Sequence, residues 1–488
     1  MAVTYRSAAR GSGIGLGKQS DQETPVTSRG NSGTPTHKMI PVLFPVSASS
    51  LGPDDETEES NLITAYGAAA APERGQEWVS GGWVTRILPE YIHHLLEGIL
   101  NPTGMASNKL VGGVLVAVQN GNPLTTPITT FANSGRPPVG INADTNQENA
   151  PSGWPSKVKL TLTGTPTYPS GKMVIKGLRR GGRKVGTTDR LATFFQEETV
   201  AITGLETTSA KMWDTVTSIT ITGVTGAGSY KLDWQPDTYK TTMQFQLTDP
   251  EHPGFTILNL VGGRPDRLWG YIMSEMSISA GSDGIDVTFA GTGIRYDRER
   301  TISTADDFDA EKVALEAADT SYYTRPDLKS FPGWAGALAF GNITQEENIV
   351  KYSSIDMNIN RNYGPAPGID GRAFRTGVSQ DGNRLTTFSP TALMRGRSAL
   401  SDTLQNYLDL YRSDAKEKLT MRNLSYDQNG RQKQIDWICP SSKITSIPRN
   451  EFTGPGQIEE PLVFQAEPVG STPELQIVMY TATQLYAP

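Results

Sequence analysis

The chain is 488 residues long, 36% hydrophobic and 19% charged, with 50 glycines, 32 prolines and a mean hydropathy of -0.39. It is too long for one ordinary core and lacks the run of about 20 apolar residues that a membrane span needs, so several turn-rich domains with few long helices are predicted. The net charge of -7 argues against a surface that grips phosphates, and the lone Cys439 excludes an internal disulfide or a cysteine-rich metal centre.

Residues 1–40 are polar, rich in Gly, Ser and Thr, and without periodicity. They predict a flexible arm that a partner would order, and they hold no apolar core of signal-peptide length. Gly11, Gly13, Gly15, Gly17 and Lys18 superficially resemble a phosphate-cradling loop. Such a loop needs a preceding strand to aim its N–H groups, and none is predicted, so the stretch reads as a tail. Residues 40–45 predict a short edge strand, 53–60 an acidic loop and 77–84 a strand. Ile92, Leu95, Leu96 and Ile99 then recur at helical spacing, with Pro89 suited to the first turn and Asn101-Pro102 ending the helix. Residues 109–119 read as a buried strand.

From Trp154 the texture changes. Short runs around Val158, Leu160, Leu162, Ile175, Ile202, Ile219, Ile221 and Trp234 are broken by Gly, Pro and Thr, and no helical stripe appears. Turn-punctuated strands of this kind predict a small immunoglobulin-like β-sandwich, inserted over 154–240 into a host domain.

Residues 271–294 organise the rest. Ile272, Met276, Ile278 and Ala280 share one parity, and Ile285, Val287 and Phe289 alternate with Asp286 and Thr288. Gly281 and Gly284 bracket the reversal between them. This is a β-hairpin with one apolar and one polar face, and it needs a larger sheet to be stable. Residues 306–318 predict a connecting helix. Ile355, Met357 and Ile359 next alternate with Asp356, Asn358 and Asn360 as a strand. Residues 361–397 are Gly-, Pro- and Arg-rich with little periodicity. A structureless stretch of that length predicts an arm laid over a neighbouring subunit, with Arg361, Arg372, Arg375 and Arg384 as its contacts. Leu400, Leu404, Tyr407, Leu408 and Tyr411 line a helix capped by Ser401. A second hairpin pairs 419–426 with 432–439 across Asn429-Gly430, and a slip of parity between Met421 and Leu424 predicts a bulge. Leu475, Ile477 and Met479 finish the sheet. The same kinds of element recur in both halves, which predicts a duplication.

Nothing in the chain points to catalysis, a metal or a cofactor. Two of the four histidines, His93 and His94, are adjacent on a helix and cannot face one metal at i, i+4 spacing. No Gly-x-Ser-x-Gly elbow occurs. Cys439 reads as a small core residue.

At the two hairpins, and at the helix before the second, the chain resembles the tail tube proteins of long-tailed bacteriophages. The residues carrying this are Trp269-Gly270-Tyr271-Ile272-Met273-Ser274-Glu275-Met276-Ser277-Ile278-Ser279, followed by Gly284-Ile285-Asp286-Val287-Thr288-Phe289-Ala290-Gly291. The likeness covers roughly 75–110 and 240–488. It implies a mainly β fold built on a β-sandwich or barrel tail tube domain, duplicated, with one helix per half. The first half would be 41–153 with 241–300, then a linker over 301–340, then the second half over 341–488. The immunoglobulin-like sandwich would be an outward-facing addition.

The resemblance further implies a structural virion protein of siphophage type that self-assembles into stacked rings around a channel for genome delivery. The rings would be trimeric and pseudo-hexameric, or hexameric. Its partners would be further copies of itself and the tape measure, tail terminator and distal tail proteins, with double-stranded DNA passing transiently and no membrane contact. Assembly would take place in the host cytoplasm before the chain joins the virion tail. Glu275, Ser277, Asp286 and Thr288, on the polar face of the first hairpin, are the expected channel wall. The rival readings are a sheath or capsid protein, and a carbohydrate-binding β-protein whose Trp83, Trp154, Trp213, Trp234 and Trp269 stack on sugars.

Overall fold

The alternating stretch around Ile278 forms a hairpin of two long antiparallel strands, Asp266–Gly281 and Gly284–Gly293. The structure, a computed structural model, describes residues 13–19, 21–23, 39–58, 73–88, 91–102, 105–120, 127–140, 147–180, 193–226, 228–245, 252, 254–259, 266–281, 284–298, 331, 336–340, 349–350, 352–366, 377–394, 411–414, 416–446 and 458–486. Within them the chain is mainly β, and Ile92–Leu100 is the only complete α-helix.

The hairpin sits inside a run of antiparallel pairings. Gly52–Glu58 pairs with Glu73–Arg86, and Glu73–Arg86 with Gly284–Gly293. On the other side Asp266–Gly281 pairs with Tyr352–Asn360, and Tyr352–Asn360 with Leu385–Met394. The run continues through Val463–Glu467 to Gln432–Ser446 of the second hairpin, which also carries Glu417–Tyr426 and Gln476–Thr481. All belong to one 21-stranded network of pairings that closes no barrel among the described residues.

Parity places the core. Trp83, Phe289, Met276 and Ile359 form one inward row, and Val287, Ile278, Met357 and Phe388 the next. Each is buried, in one cluster with Met421, Ile435 and Trp437 of the second hairpin and with the helical stripe Ile92, Leu95, Leu96 and Ile99. Asn101 ends the helix in the left-handed region (φ 44°), with its N–H donating to the Glu97 carbonyl. Gly270 (φ 61°) turns the long strand from one set of partners to another. Its first residues pair with Phe255–Asn259 and Arg295–Arg298, and its later ones with Gly284–Gly293 and Tyr352–Asn360. A Cβ at Gly270 would lie 2.7 Å from the Gln22 carbonyl oxygen and from the Ile294 side chain, so only glycine fits.

A second core fills a two-sheet module. Phe194–Ala201, Lys172–Arg179 and Thr215–Thr222 make one sheet; Glu206–Thr208, Lys157–Gly164, Gly228–Gln235 and Val114–Asn120 make the other. Leu160, Leu232, Trp234, Ile175 and Ile219 pack between them. The module draws in residues before the expected 154, because Val114–Asn120 pairs with Gly228–Gln235.

Several sequence expectations need correction. Gly13–Lys18 is not a tail but a strand between Phe255–Asn259 and Met39–Pro45, with Ile14 and Leu16 fully buried. The expected acidic loop contains the strand Gly52–Glu58, where cross-strand bonding overrides the poor strand propensity of Asp and Glu. The expected structureless arm holds the pair Tyr363–Ala366 and Gly377–Gln380, and Leu385–Met394 enters the large sheet. The single strand predicted over 109–119 breaks at Gly112-Gly113, and its two parts enter different sheets. No bulge separates Met421 from Leu424. Asn423 takes the buried position there, its Oδ1 accepting from Trp437 Nε1 at 3.0 Å, and the register shift lies between Glu417 and Leu419. The helix expected at 306–318 and all of that at 400–411 except its last residue lie outside the described residues, as does Pro89.

Two outcomes follow from this packing. Phe289 is fully buried and stacked on Trp83 at 5.9 Å, so Phe289→Ala is expected to destabilise the fold by about 3–5 kcal/mol in urea unfolding; a loss below about 1 kcal/mol contradicts this core placement. Burial holds the His94 imidazole down at about 4, against 6.5 for a free histidine. The unfolded chain then takes up the proton first, so stability falls as pH drops from 6.5 towards 4 and is flat above that window. His94→Phe is expected to flatten that slope in denaturation titrations, and an unchanged slope refutes the assignment.

Candidate functional site

On the face opposite the core, three rows of side chains cross five adjacent strands. The first runs Arg86, Asp286, Ser279, Asp356, Ser389, and the second Val84, Thr288, Ser277, Asn358, Thr387. The third runs Gly82, Ala290, Glu275, Asn360, Leu385. Period-two geometry forces this arrangement once the apolar parity faces the core. The four expected wall residues share this face, with Glu275, Asp286 and Thr288 exposed and Ser277 half-buried.

Sequence reasoning named the hairpin's share of the face and missed the rest. The alternation of Asp356, Asn358 and Asn360 was legible, but nothing local shows that their strand lies beside the hairpin. Arg86, Thr387 and Ser389 carry no signal of their own.

The electrostatics are mild. Glu275, Asp286 and Asp356 face the single guanidinium of Arg86 across these rows. Arg86 Nε lies 3.6 Å from Asp286 Oδ1 with both side chains more than half exposed, and Asn360 Nδ2 donates to Glu275 Oε1 at 3.1 Å. Water screens such a pair, which therefore contributes little to stability. Chemically the face offers hydroxyls, amides and carboxylates, and no cluster of cations along these rows to hold phosphate.

Of the four arginines expected to reach a neighbour, the structure describes two, Arg361 and Arg384. Arg361 is fully buried, its guanidinium 4.7 Å from the Tyr363 ring centre and its Nη2 donating to the Tyr363 hydroxyl at 3.0 Å. Arg384 pairs through two nitrogens with the Glu474 carboxylate and lies 4.4 Å over the Phe245 ring. Both serve the packing of their own chain. Arg372 and Arg375 lie outside the described residues.

The described residues hold no group of three or more His, Cys, Asp or Glu placed to bind a metal. Cys439 is fully buried, and burial, aided by nearby Glu474, pushes its thiol far up, so the sulfur is a core atom rather than a nucleophile. Trp83, Trp154, Trp213, Trp234 and Trp269 are all buried, which removes the stacking platform that a carbohydrate-binding reading requires. Because the polar face stands outside the core, Asp286→Ala is expected to change the unfolding free energy by less than about 1 kcal/mol in chemical denaturation. A larger loss indicates that the face is structural.

None of the curated proteins compared with the chain matches it. The phage tail tube protein family does, over residues 9–466, a span that takes in the inserted module and both hairpins. The chain therefore belongs to the phage tail tube protein family and is a structural, non-enzymatic component of the virion tail.

Proposed function

We propose that copies of this chain self-assemble into stacked rings, as in a siphophage-type tail, around a channel that delivers double-stranded DNA into the host. The observation that carries this is the five-strand polar face, backed by buried side chains that are apolar except at Thr85 and Thr386 on the outer strands. Such a face is a wall whose rows carry three carboxylates against one guanidinium, along which DNA moves without being held. Glu275, Ser277, Asp286 and Thr288 line the channel, with Ser279, Asp356 and Asn358 beside them. Tape measure, tail terminator and distal tail proteins are its partners, and assembly takes place in the host cytoplasm.

The tube domain is duplicated. Gly52–Glu58, Glu73–Arg86 and Ile92–Leu100 give the order strand, strand, helix. Tyr352–Asn360 and Leu385–Met394, with the helix expected at 400–411, follow that order around the added pair Tyr363–Ala366 and Gly377–Gln380. Strands from both halves lie side by side through the pairing of Asp266–Gly281 with Tyr352–Asn360, so each copy supplies a double-width wall and three copies make a ring. The inserted module is an immunoglobulin-like sandwich in architecture, two antiparallel sheets over a common core, on the outside of the tube.

Electron microscopy of the purified protein tests the assembly. Rings or tubes with threefold symmetry are expected; true sixfold rings overturn the duplication, and compact monomers alone overturn the assembly. The wall is tested separately with Glu275→Lys, Asp286→Lys and Asp356→Lys combined. Tubes of this variant are expected to retain double-stranded DNA in a salt-sensitive manner. Retention no different from the parent tube removes these residues from the channel.

A further inference from the structure

The two hairpins end very differently. At the first, an added Cβ on Gly281 or Gly284 would meet nothing within 4 Å. At the second, the turn at Asp427–Gly430 is pressed into the inserted module. The Met212 N–H donates to the Asn429 carbonyl at 2.8 Å, and Arg179 donates through Nη2 to the Gln428 carbonyl. Gly430 (φ 85°) passes so close that a Cβ there would lie 2.7 Å from the Arg180 carbonyl oxygen and 3.1 Å from that of Met212. Beside the turn, Asp237 Oδ2 accepts from Lys157 Nζ at 2.6 Å and from Arg431 Nη2 at 2.8 Å. Lys157 opens the module's first strand after 154 and Asp237 follows its last, so one carboxylate ties entry, exit and hairpin together.

The contact does not stop at the turn. Arg180 Nη1 donates to the Tyr426 hydroxyl at 2.7 Å, and that hydroxyl donates to Gln432 Oε1 at 3.2 Å. Gln432 Nε2 donates to Gln434 Oε1 at 2.7 Å, and Gln434 Nε2 to Asp436 Oδ2 at 2.8 Å. Asp436 is held by Arg422 Nε at 2.8 Å on the facing strand. A chain of hydrogen bonds thus runs from a module arginine down the hairpin, and bonds in such a chain reinforce one another.

We infer that the inserted module is a locked part of the subunit, seated on the second hairpin's turn, and that this hairpin depends on the module to stay ordered. A module that merely decorated the surface would need none of these contacts. The inference does not rest on the channel reading: it concerns contacts within one chain.

Hydrogen–deuterium exchange on the full-length protein tests it from both sides. Arg179→Ala with Arg180→Ala, on the module side, is expected to speed exchange over 417–446 at least tenfold while leaving the module strand Thr215–Thr222 protected. Tyr426→Phe removes one hydroxyl on the hairpin side and leaves its fold intact. It is expected to speed exchange of the peptide containing Met212 severalfold, because coupling between two sites is reciprocal. Lys176→Ala, which breaks the exposed 2.9 Å pair with Glu197 on the module's outer face, sets the baseline and is expected to change neither. Silence of either the hairpin in the first variant or the Met212 peptide in the second overturns the inference.

Discussion

The pairing of Asp266–Gly281 with Tyr352–Asn360 is the constraint on which the architecture depends. It joins residues far apart in the chain, and it holds Ile278 opposite Met357 on one side of the sheet and Ser279 opposite Asp356 on the other. A slip of one residue would turn Met276, Ile278 and Ala280 to water and drive Glu275 and Ser277 inward. Burying even one of those polar groups without a partner costs several kcal/mol, on the order of a large part of a domain's net stability. Core and polar face are therefore two consequences of a single register. Neither can change without the other.

The chain treats its charged groups in two ways. On the polar face they are left in water, where Arg86 and Asp286 stay more than half exposed. Elsewhere they are paired with at least one partner buried, as with Arg384 and Glu474 outside the strands or Arg422 and Asp436 across the second hairpin. Asp237 shows the balance: burial pushes its carboxyl up, but hydrogen bonds and charge from Lys157 and Arg431 outweigh this and hold it below the usual range. Paired ions of this kind add little net stability over apolar packing, yet removing one partner strands the other. Outside the strands, as at Asp237 and Arg384, they fix geometry where backbone pairing does not reach.

What the sequence revealed was whatever is local. Both hairpins, the strand of Ile355, Met357 and Ile359, and the stripe of Ile92 to Ile99 follow from period and turn chemistry within a dozen residues. What it hid depends on partners distant in the chain. Gly13–Lys18 becomes a strand only beside Phe255–Asn259, and Gly52–Glu58 only beside Glu73–Arg86. Asn423 sits in the core because Trp437 supplies a donor, which a hydropathy count reads as a broken pattern. The polar face was legible at Glu275, Ser277, Asp286 and Thr288, since the hairpin displays them. It was illegible at Arg86 and Ser389, since lateral strand order is not written in any one segment. Arginine content also misled: a guanidinium over an aromatic ring, as at Arg361 and Arg384, has the same spelling as one waiting for another chain.

Gly270 carries a final consequence. One left-handed torsion, with no room for a side chain, sets the angle at which the longest strand leaves one group of partners and joins another. In any closed ring of identical copies an angular error in one copy is multiplied by the number of copies, and the last edge misses the first. Curvature fixed by a single sterically enclosed residue is the same in every copy. In the ring we propose, diameter then becomes an inherited property of the polypeptide, insensitive to the conditions in which the copies meet.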